Sequence, residues 1–317
     1  MMTMCFNIAI GQRQLLAVES ISIVRSVSNL ADTAQIALPA MAANATLDIE
    51  SKIAVGDTVE IQLGYDNKLE TEFSGYIDRI NTDDGNLTIE CIDALWFFKR
   101  VSLPDKVFND VSLNDLLQQI VATVEIPIDV KCDYSLTYKK FTFYKATAFD
   151  VLKKIQDDTK ADIYFENTTL HIHPVYSEAG NRVAFDFSKN IESAELKYIK
   201  AGDRDQEVEV SYTDIAGTVH TATMGKSGGK KTKIAVPADD SGIQKVAENW
   251  YNALVYDGYE GSFTGWLVPY VKPTDIVSLH DEQYEYKDGD YYVVGTEVEF
   301  SSSGGRRKIE LGRRMSQ

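Results

Sequence analysis

The residues of this 317-residue chain with the most suggestive chemistry are Gly225-Lys226-Ser227. They match the end of a phosphate loop, where backbone N–H groups and a lysine cradle phosphate oxygens. That loop needs a second glycine five positions before Gly225, and His220 stands there. The cradle cannot form, and with Gly228-Gly229-Lys230-Lys231 following, the segment reads as a flexible basic loop between strands. His171 and His173 alternate along a strand and so share a face, as a two-histidine metal site requires. No third ligand is near, because His220 and His280 are remote in sequence, and two exposed strand histidines are expected. Asp288-Gly289-Asp290 lacks the later glutamate of a calcium loop and suits a hairpin turn. Ser74-Gly75 and Ser227-Gly228 lack the pattern of a nucleophile elbow. With 48 acidic residues some carboxylate pair must lie close, as a glycosidase needs, yet no motif nominates one. The expectation is no catalytic residue, no metal site, no cofactor and no enzyme. Three aromatic groups, Trp96-Phe97-Phe98, Trp250-Tyr251 and Trp266, could each form a ligand platform; Trp96 to Phe98 read better as a plug where one domain hands over to the next.

Composition narrows the classes. Apolar residues are 44% and charged residues 25%, as in a folded soluble protein, and the length calls for two or three domains. Three cysteines, Cys5, Cys91 and Cys132, offer neither a disulfide framework nor a zinc spacing, which fits synthesis in a reducing cytoplasm. The net charge of −16 argues against a surface that holds nucleic acid. The opening MMTMCFNIAIGQRQLL lacks the pattern of a signal peptide, and no apolar run reaches the length of a span, so stable membrane insertion is not expected.

Residues 1–99 alternate apolar and polar in SISIVRSVS, DTAQIALP, DTVEIQLGY, ETEFSGYIDRI and NLTIECID, the pattern of short antiparallel strands. DDGN at 83–86 suits a tight hairpin. Residues 100–178 change texture: Asp110 or Ser112 can cap a helix carrying Leu113, Leu116, Leu117, Ile120 and Val121, and a second helix spans about Ala148 to Thr159. The strands IPIDVKC and ADIYFENTTLHIHP, the latter turning at Asn-Thr, complete a small α/β domain. Residues 179–317 return to strands, with one helix at about 240–256. The fold class is therefore mainly β with an α+β insert, and a doubly wound sheet is unsupported.

Two segments echo each other: 55–93 and 272–313 both run turn, strand, hairpin, strand, glycine, strand, turn, strand. Asp57-Thr58-Val59 aligns with Asp275-Ile276-Val277, Gly75 with Gly295, Gly85 with Gly305, and Ile89-Glu90 with Ile309-Glu310. A duplicated domain and two unrelated meanders both fit. If duplicated, two similar domains per chain allow three chains to present six equivalent places in a closed ring.

The segments GDTVEIQLGYDNKLETEFSGYIDRI, LTIECIDALWFFKR and the terminal PTDIVSLHDE and DYYVVGTEVEFSSSGGRRKIELGRR carry a family resemblance. The chain resembles the late-control D family of contractile-phage tail hub proteins and their relatives in type VI secretion spikes. The resemblance spans essentially the whole chain on turn-and-strand signatures. It implies two similar β-barrel, tube-type domains flanking the small α/β domain, and a homotrimer whose six barrels continue a hexameric tail tube in the baseplate of a virion or injection machine. Implied partners are a separate spike protein and tail tube and baseplate proteins, with DNA only as transiting cargo. Acidic charge would keep such a channel from binding phosphate, and it would equally keep any cytoplasmic protein soluble. Two other readings are a glycan-binding tail module and a cell-wall hydrolase.

Overall fold

The computed structural model describes residues 3–38, 49–83, 86–134, 136–213, 218–235 and 243–315. The first strands are β1 (Met4–Ile10), β2 (Arg13–Gln14), β3 (Ser20–Ser26), β4 (Thr33–Leu38), β5 (Thr58–Tyr65), β6 (Lys68–Asp83) and β7 (Asn86–Ile92). They lie side by side in the order β3-β4-β7-β6-β5-β1-β2, every pair antiparallel. Alternation decides which face is buried: Val59, Ile61 and Leu63 point inward and Glu60 outward, and Ile8, Ile10, Ile21, Ile23, Ile36 and Ile89 close the same core. Each such side chain stabilises the fold by about 1.5–3 kcal/mol. β5 turns into β6 through Asp66 and Asn67 at φ 51° and 62°. Their short side chains tolerate that conformation, as the tightest hairpins require. Asp83 pairs with Asn86, while residues 84 and 85 of the expected DDGN turn lie outside the described residues.

The chain then forms α1 (Leu95–Arg100), β8 (Lys106–Ser112), α2 (Leu113–Val121), β9 (Asp129–Cys132), β10 (Thr137–Phe143), α3 (Ala148–Thr159), β11 (Asp162–Glu166) and β12 (Thr169–His173). Of the two candidate caps for α2, Ser112 is the one used: its side chain accepts from the Asp115 N–H. Thr147 and Asp150 cap α3 reciprocally. The apolar stripes of the two helices, Leu116, Leu117 and Ile120 with Val151, Leu152 and Ile155, share one core with Phe98, Phe141 and Ile163. β11 and β12 pair across a turn with Asn167 at φ 55°, and β9 adds to β12 in parallel.

The remainder comprises β13 (Arg182–Asp186), β14 (Ile191–Ile199), β15 (Gln206–Thr213), β16 (Val219–Gly225), β17 (Lys230–Ala235), α4 (Ile243–Leu254), β18 (Gly258–Trp266), β19 (Ile276–His280), β20 (Gly289–Ser301) and β21 (Gly304–Arg314). The expected third domain holds two cores. β15 to β17 make a separate sheet that packs with α4 around Val208, Val210, Ile234 and Ala247. This unit sits between β14 and β18, where the first sheet joins β3 to β4 through residues 27–32 alone. The other core, around Phe185, Phe263, Val277, Tyr291 and Ile309, belongs to the sheet β14-β18-β21-β20-β19.

That strand order repeats β3-β4-β7-β6-β5, so the echo extends to five strands. The sixth position is occupied in both sheets, but β1 runs antiparallel to β5 and β13 parallel to β19. The alignment also needs correction at the tip. Asp83 pairs with Asn86 and Ser301 with Gly304, so the two hairpins superpose there, and Gly305 lies on β21 opposite Phe300 rather than in the turn. A two-residue slip preserves the alternation, which is why sequence matching tolerated it. The two sheets are joined in one continuous path of strands, because β3 pairs with β20. Among the described residues no strand pair closes either sheet on itself. No described helix is long and apolar enough to cross a membrane.

Candidate functional site at the junction of the two sheets

The densest buried polar cluster lies where the sheets meet. Seven residue pairs, Ser20–Ser26 against Gly295–Ser301, form the backbone seam. Beside it Arg307 of β21 makes two hydrogen bonds to the Glu72 carboxylate of β6, at 2.7 and 2.9 Å, with both side chains 1% exposed. Arg307 also donates to the Leu267 carbonyl at 3.2 Å and lies 4.9 Å from the Tyr270 ring centre. A bidentate fork fixes direction as well as distance, so the pair acts as a clasp between the sheets.

A second buried group sits next to it. Arg25 donates to Asp32 at 3.0 Å and to the Tyr270 hydroxyl at 3.3 Å; that hydroxyl donates to the Thr71 carbonyl. Asp32 also accepts the Ser26 N–H, and Asp93 accepts the N–H groups of Asp32 and Leu95 at 2.7 and 2.9 Å. Burial holds the Asp93 carboxyl well above the usual carboxylate range, and the Asp32 charge adds to the effect. Burial also raises Asp32, against the pull of Arg25. Lys272 is hydrogen-bonded to Glu166 at the end of β11, which ties the α/β part to the same junction. The arrangement links three parts of the chain at one junction, through the fully buried Glu72–Arg307 pair, the largely buried Arg25–Asp32 pair and the partly exposed Lys272–Glu166 pair.

The histidines differ from expectation: His171 and His173 are buried, 6% and 1% exposed. His173 bonds through Nδ1 to the Pro174 carbonyl and through Nε2 to the Tyr164 hydroxyl. His171 stacks on Tyr164 at 5.0 Å, its ring nitrogens have no hydrogen-bond partner, and Nε2 lies 3.8 Å from Glu166. Burial and the nearby Lys131 depress its pKa. It lines a polar cleft of about 230 Å³ with Arg25, Lys131, Glu178 and Lys272. Among the described residues the trio that brings metal-ligand types together is Asp186, His280 and Glu282, which the sequence did not nominate. Lys189 is hydrogen-bonded to Asp186, and Asp288 to His280, so the trio is engaged otherwise.

The remaining candidates are structural. Lys226 pairs with Asp205, and Lys231 with Glu207 and Glu209, so the basic loop is neutralised by its own sheet. Asp288 accepts the Asp281 N–H and closes the loop before β20. Phe98 is fully buried in the α/β core, while Trp96 and Phe97 pack against Tyr76 of β6, the bridging place expected of them. Gly56, at φ 94°, lies beneath Trp96, where a Cβ would approach the indole to 3.1 Å. Trp250 and Tyr251 pack on the core under α4, and Trp266 is 44% exposed. Glu72, Arg25 and Asp93 carried no motif. Arg307 had a signal: it shares the inward face of β21 with Ile309 and Leu311.

Residues 5–228 match the family model described as the Alg8 N-terminal domain. The chain belongs to that family. The resemblance to late-control D proteins is met in its coarser part, a likeness of fold to tail proteins. A tail protein from Neisseria meningitidis MC58 superposes with a TM-score of 0.69 at 15% identity, covering 98% of this chain and 97% of its own. A 43 kDa tail protein of prophage MuSo2 from Shewanella oneidensis gives 0.68 at 15% identity, covering 98% of both chains. An E. coli component of the type VI secretion system, described as similar to T4 bacteriophage tail proteins, gives 0.62 at 7% identity, covering 96% of this chain and 76% of its own. No curated protein matches. In this member of the Alg8 N-terminal domain family the match ends at residue 228, within the unit inserted between β14 and β18.

Proposed function

We propose that the chain is a structural subunit of a phage-type tail or a related injection machine, three copies of which form a ring that joins a tail tube to a spike. The observation that carries this is the repeated sheet: two five-strand units of the same order in one chain, clasped edge to edge. Three chains would then offer six similar sheets to a sixfold tube and a threefold face to the spike. The fold is that of proteins named as tail proteins, and a type VI component shares it. On this reading the protein is of the late-control D type, works through interfaces rather than a catalytic site, and resides in the baseplate. Its net charge of −16 suits a channel that lets DNA pass unbound.

Native mass spectrometry across a concentration series tests the ring. A dominant species at three times the 35.4 kDa chain mass is expected, with six-lobed rings by electron microscopy. A strict monomer at every concentration, alone and with its spike, would overturn it.

A further inference from the structure

The seam inside the chain specifies a second seam between chains. β20 offers one edge to β21 along its length and the other to two strands in succession, β19 at Gly289–Tyr292 and β3 at Gly295–Ser301. Its counterpart β6 is built alike at first: one edge faces β7, and the other meets β5 up to Tyr76. Past Ile77, which bonds to residues 56 and 57, that second edge has no backbone partner among the described residues. The counterpart of β3 is β14, whose outer edge is likewise unpaired among the described residues. One sheet thus ends at the outer edge of β6 and the other at the outer edge of β14, each matching a half of the seam that the chain already contains.

The register follows from the ladders. With the hairpin tips superposed, Glu297, Val298 and Glu299 of β20 fall on Arg79, Ile80 and Asn81 of β6. Carried rung by rung through β7 and β4 on one side and β21 and β18 on the other, Ser22, Ile23 and Val24 fall on Ser193, Ala194 and Glu195. Within the chain Val24 faces Glu297 and Ile23 faces Val298. We infer that β14 of one copy pairs antiparallel with residues 79–81 of β6 in the next, placing Glu195 opposite Arg79, Ala194 opposite Ile80 and Ser193 opposite Asn81. This rests on the ring reading above and names its contact.

The chemistry of the residues that this register brings together agrees with it. The transferred rung sets a carboxylate against a guanidinium, with side chains 83% and 66% exposed, beside the charges each already meets on its own sheet, Lys308 at 4.0 Å and Glu90 at 3.7 Å. Opposite charges directly across a ladder stabilise it and like charges oppose it. The inward rung joins exposed Ala194 to half-buried Ile80, where the internal seam has Ile23 and Val298, both buried. Thr82 meets Glu50 by side chain, at 2.8 Å, so among the described residues this contact uses no backbone group of β6. Because β14 of one copy meets β6 of the next, two different surfaces, the contact is heterologous and propagates from chain to chain until it closes. Pairing also hides two edges that would otherwise template aggregation.

The test uses the full chain carrying Ala194→Cys and Ile80→Cys together, with each single variant as the control for Cys5, Cys91 and Cys132. Facing residues on an antiparallel ladder bring Cβ atoms within disulfide reach. Mild oxidation is expected to give covalent species up to three chains in the double variant and none in either single variant. Glu195→Arg is expected to weaken assembly about tenfold per contact, and adding Arg79→Glu to restore it. A trimer by native mass that neither cross-links nor responds to the charge exchange overturns this contact and leaves the ring intact. A protein that stays monomeric overturns both.

Discussion

Replacing Arg307 by Met would leave the Glu72 carboxylate in a site where its side chain is 1% exposed. Removing one partner of a buried pair costs about 3–5 kcal/mol, since the survivor has lost its counter-charge and cannot reach water. Glu72→Leu alone strands Arg307, whose other acceptor is the Leu267 carbonyl, and should cost a similar amount. The double variant Glu72→Leu/Arg307→Met removes both charges and is expected to lie within about 1–2 kcal/mol of the wild type. Urea unfolding followed by tryptophan fluorescence and circular dichroism closes the cycle, with a coupling of several kcal/mol as the expected result. Single variants within about 1 kcal/mol of wild type, or a double variant as unstable as the sum of the singles, would refute the clasp.

Two further outcomes are expected. Burial raises the pKa of Asp162 to about 7, against a hydrogen bond from the Tyr176 N–H that favours the charged form. The native state therefore holds this proton more tightly than the unfolded chain does, so its contribution is fully present below about pH 4 and lost as pH rises through 7. Asp162→Asn should match the wild type near pH 4 and exceed its stability by up to about 4 kcal/mol at pH 8.5; a melting-temperature difference independent of pH would contradict this. Gly75→Ala should destabilise by about 1–3 kcal/mol or more, because the new Cβ would come within 2.4 Å of the Ile92 carbonyl oxygen, whereas Gly295→Ala meets nothing nearer than 3.1 Å and should be tolerated. Equal effects at the two sites in thermal melts would contradict this difference in packing.

Local signals were readable from the residues. Ser112 announces its helix because a cap is a contact over three residues, and Asn167 marks its turn for the same reason. The repeat was visible in outline through Asp57 and Asp275, yet its tip was placed two residues out, since alternation cannot register an even slip. The junction was not readable. Ser26 and Gly295 are partners across most of the chain's length, and nothing local to SISIVRS states which strand will cover its far edge. The burial of His171 and His173 escaped for a related reason: TLHIH alternates like a half-exposed strand, but four of its five residues are buried, with Pro174 and Ser177 folded back on His173. The unit of β15 to β17 and α4 has the same strand texture as its surroundings, so only the pairing pattern separates it from the sheet that hosts it.

The seam between β3 and β20 also has a mechanical meaning. Its hydrogen bonds run across the strands, so a load directed along the strands strains all seven rungs at once, while a load across them opens the ladder one rung at a time. β20 continues past the seam into its pairing with β19 and is backed by β21, so a pull on the first sheet is handed directly to the second through one backbone. The Glu72–Arg307 pair lies off that line and resists the peeling direction in which the ladder is weakest. A chain built this way meets a load along its strands with the whole ladder and a load across them with the buried ion pair.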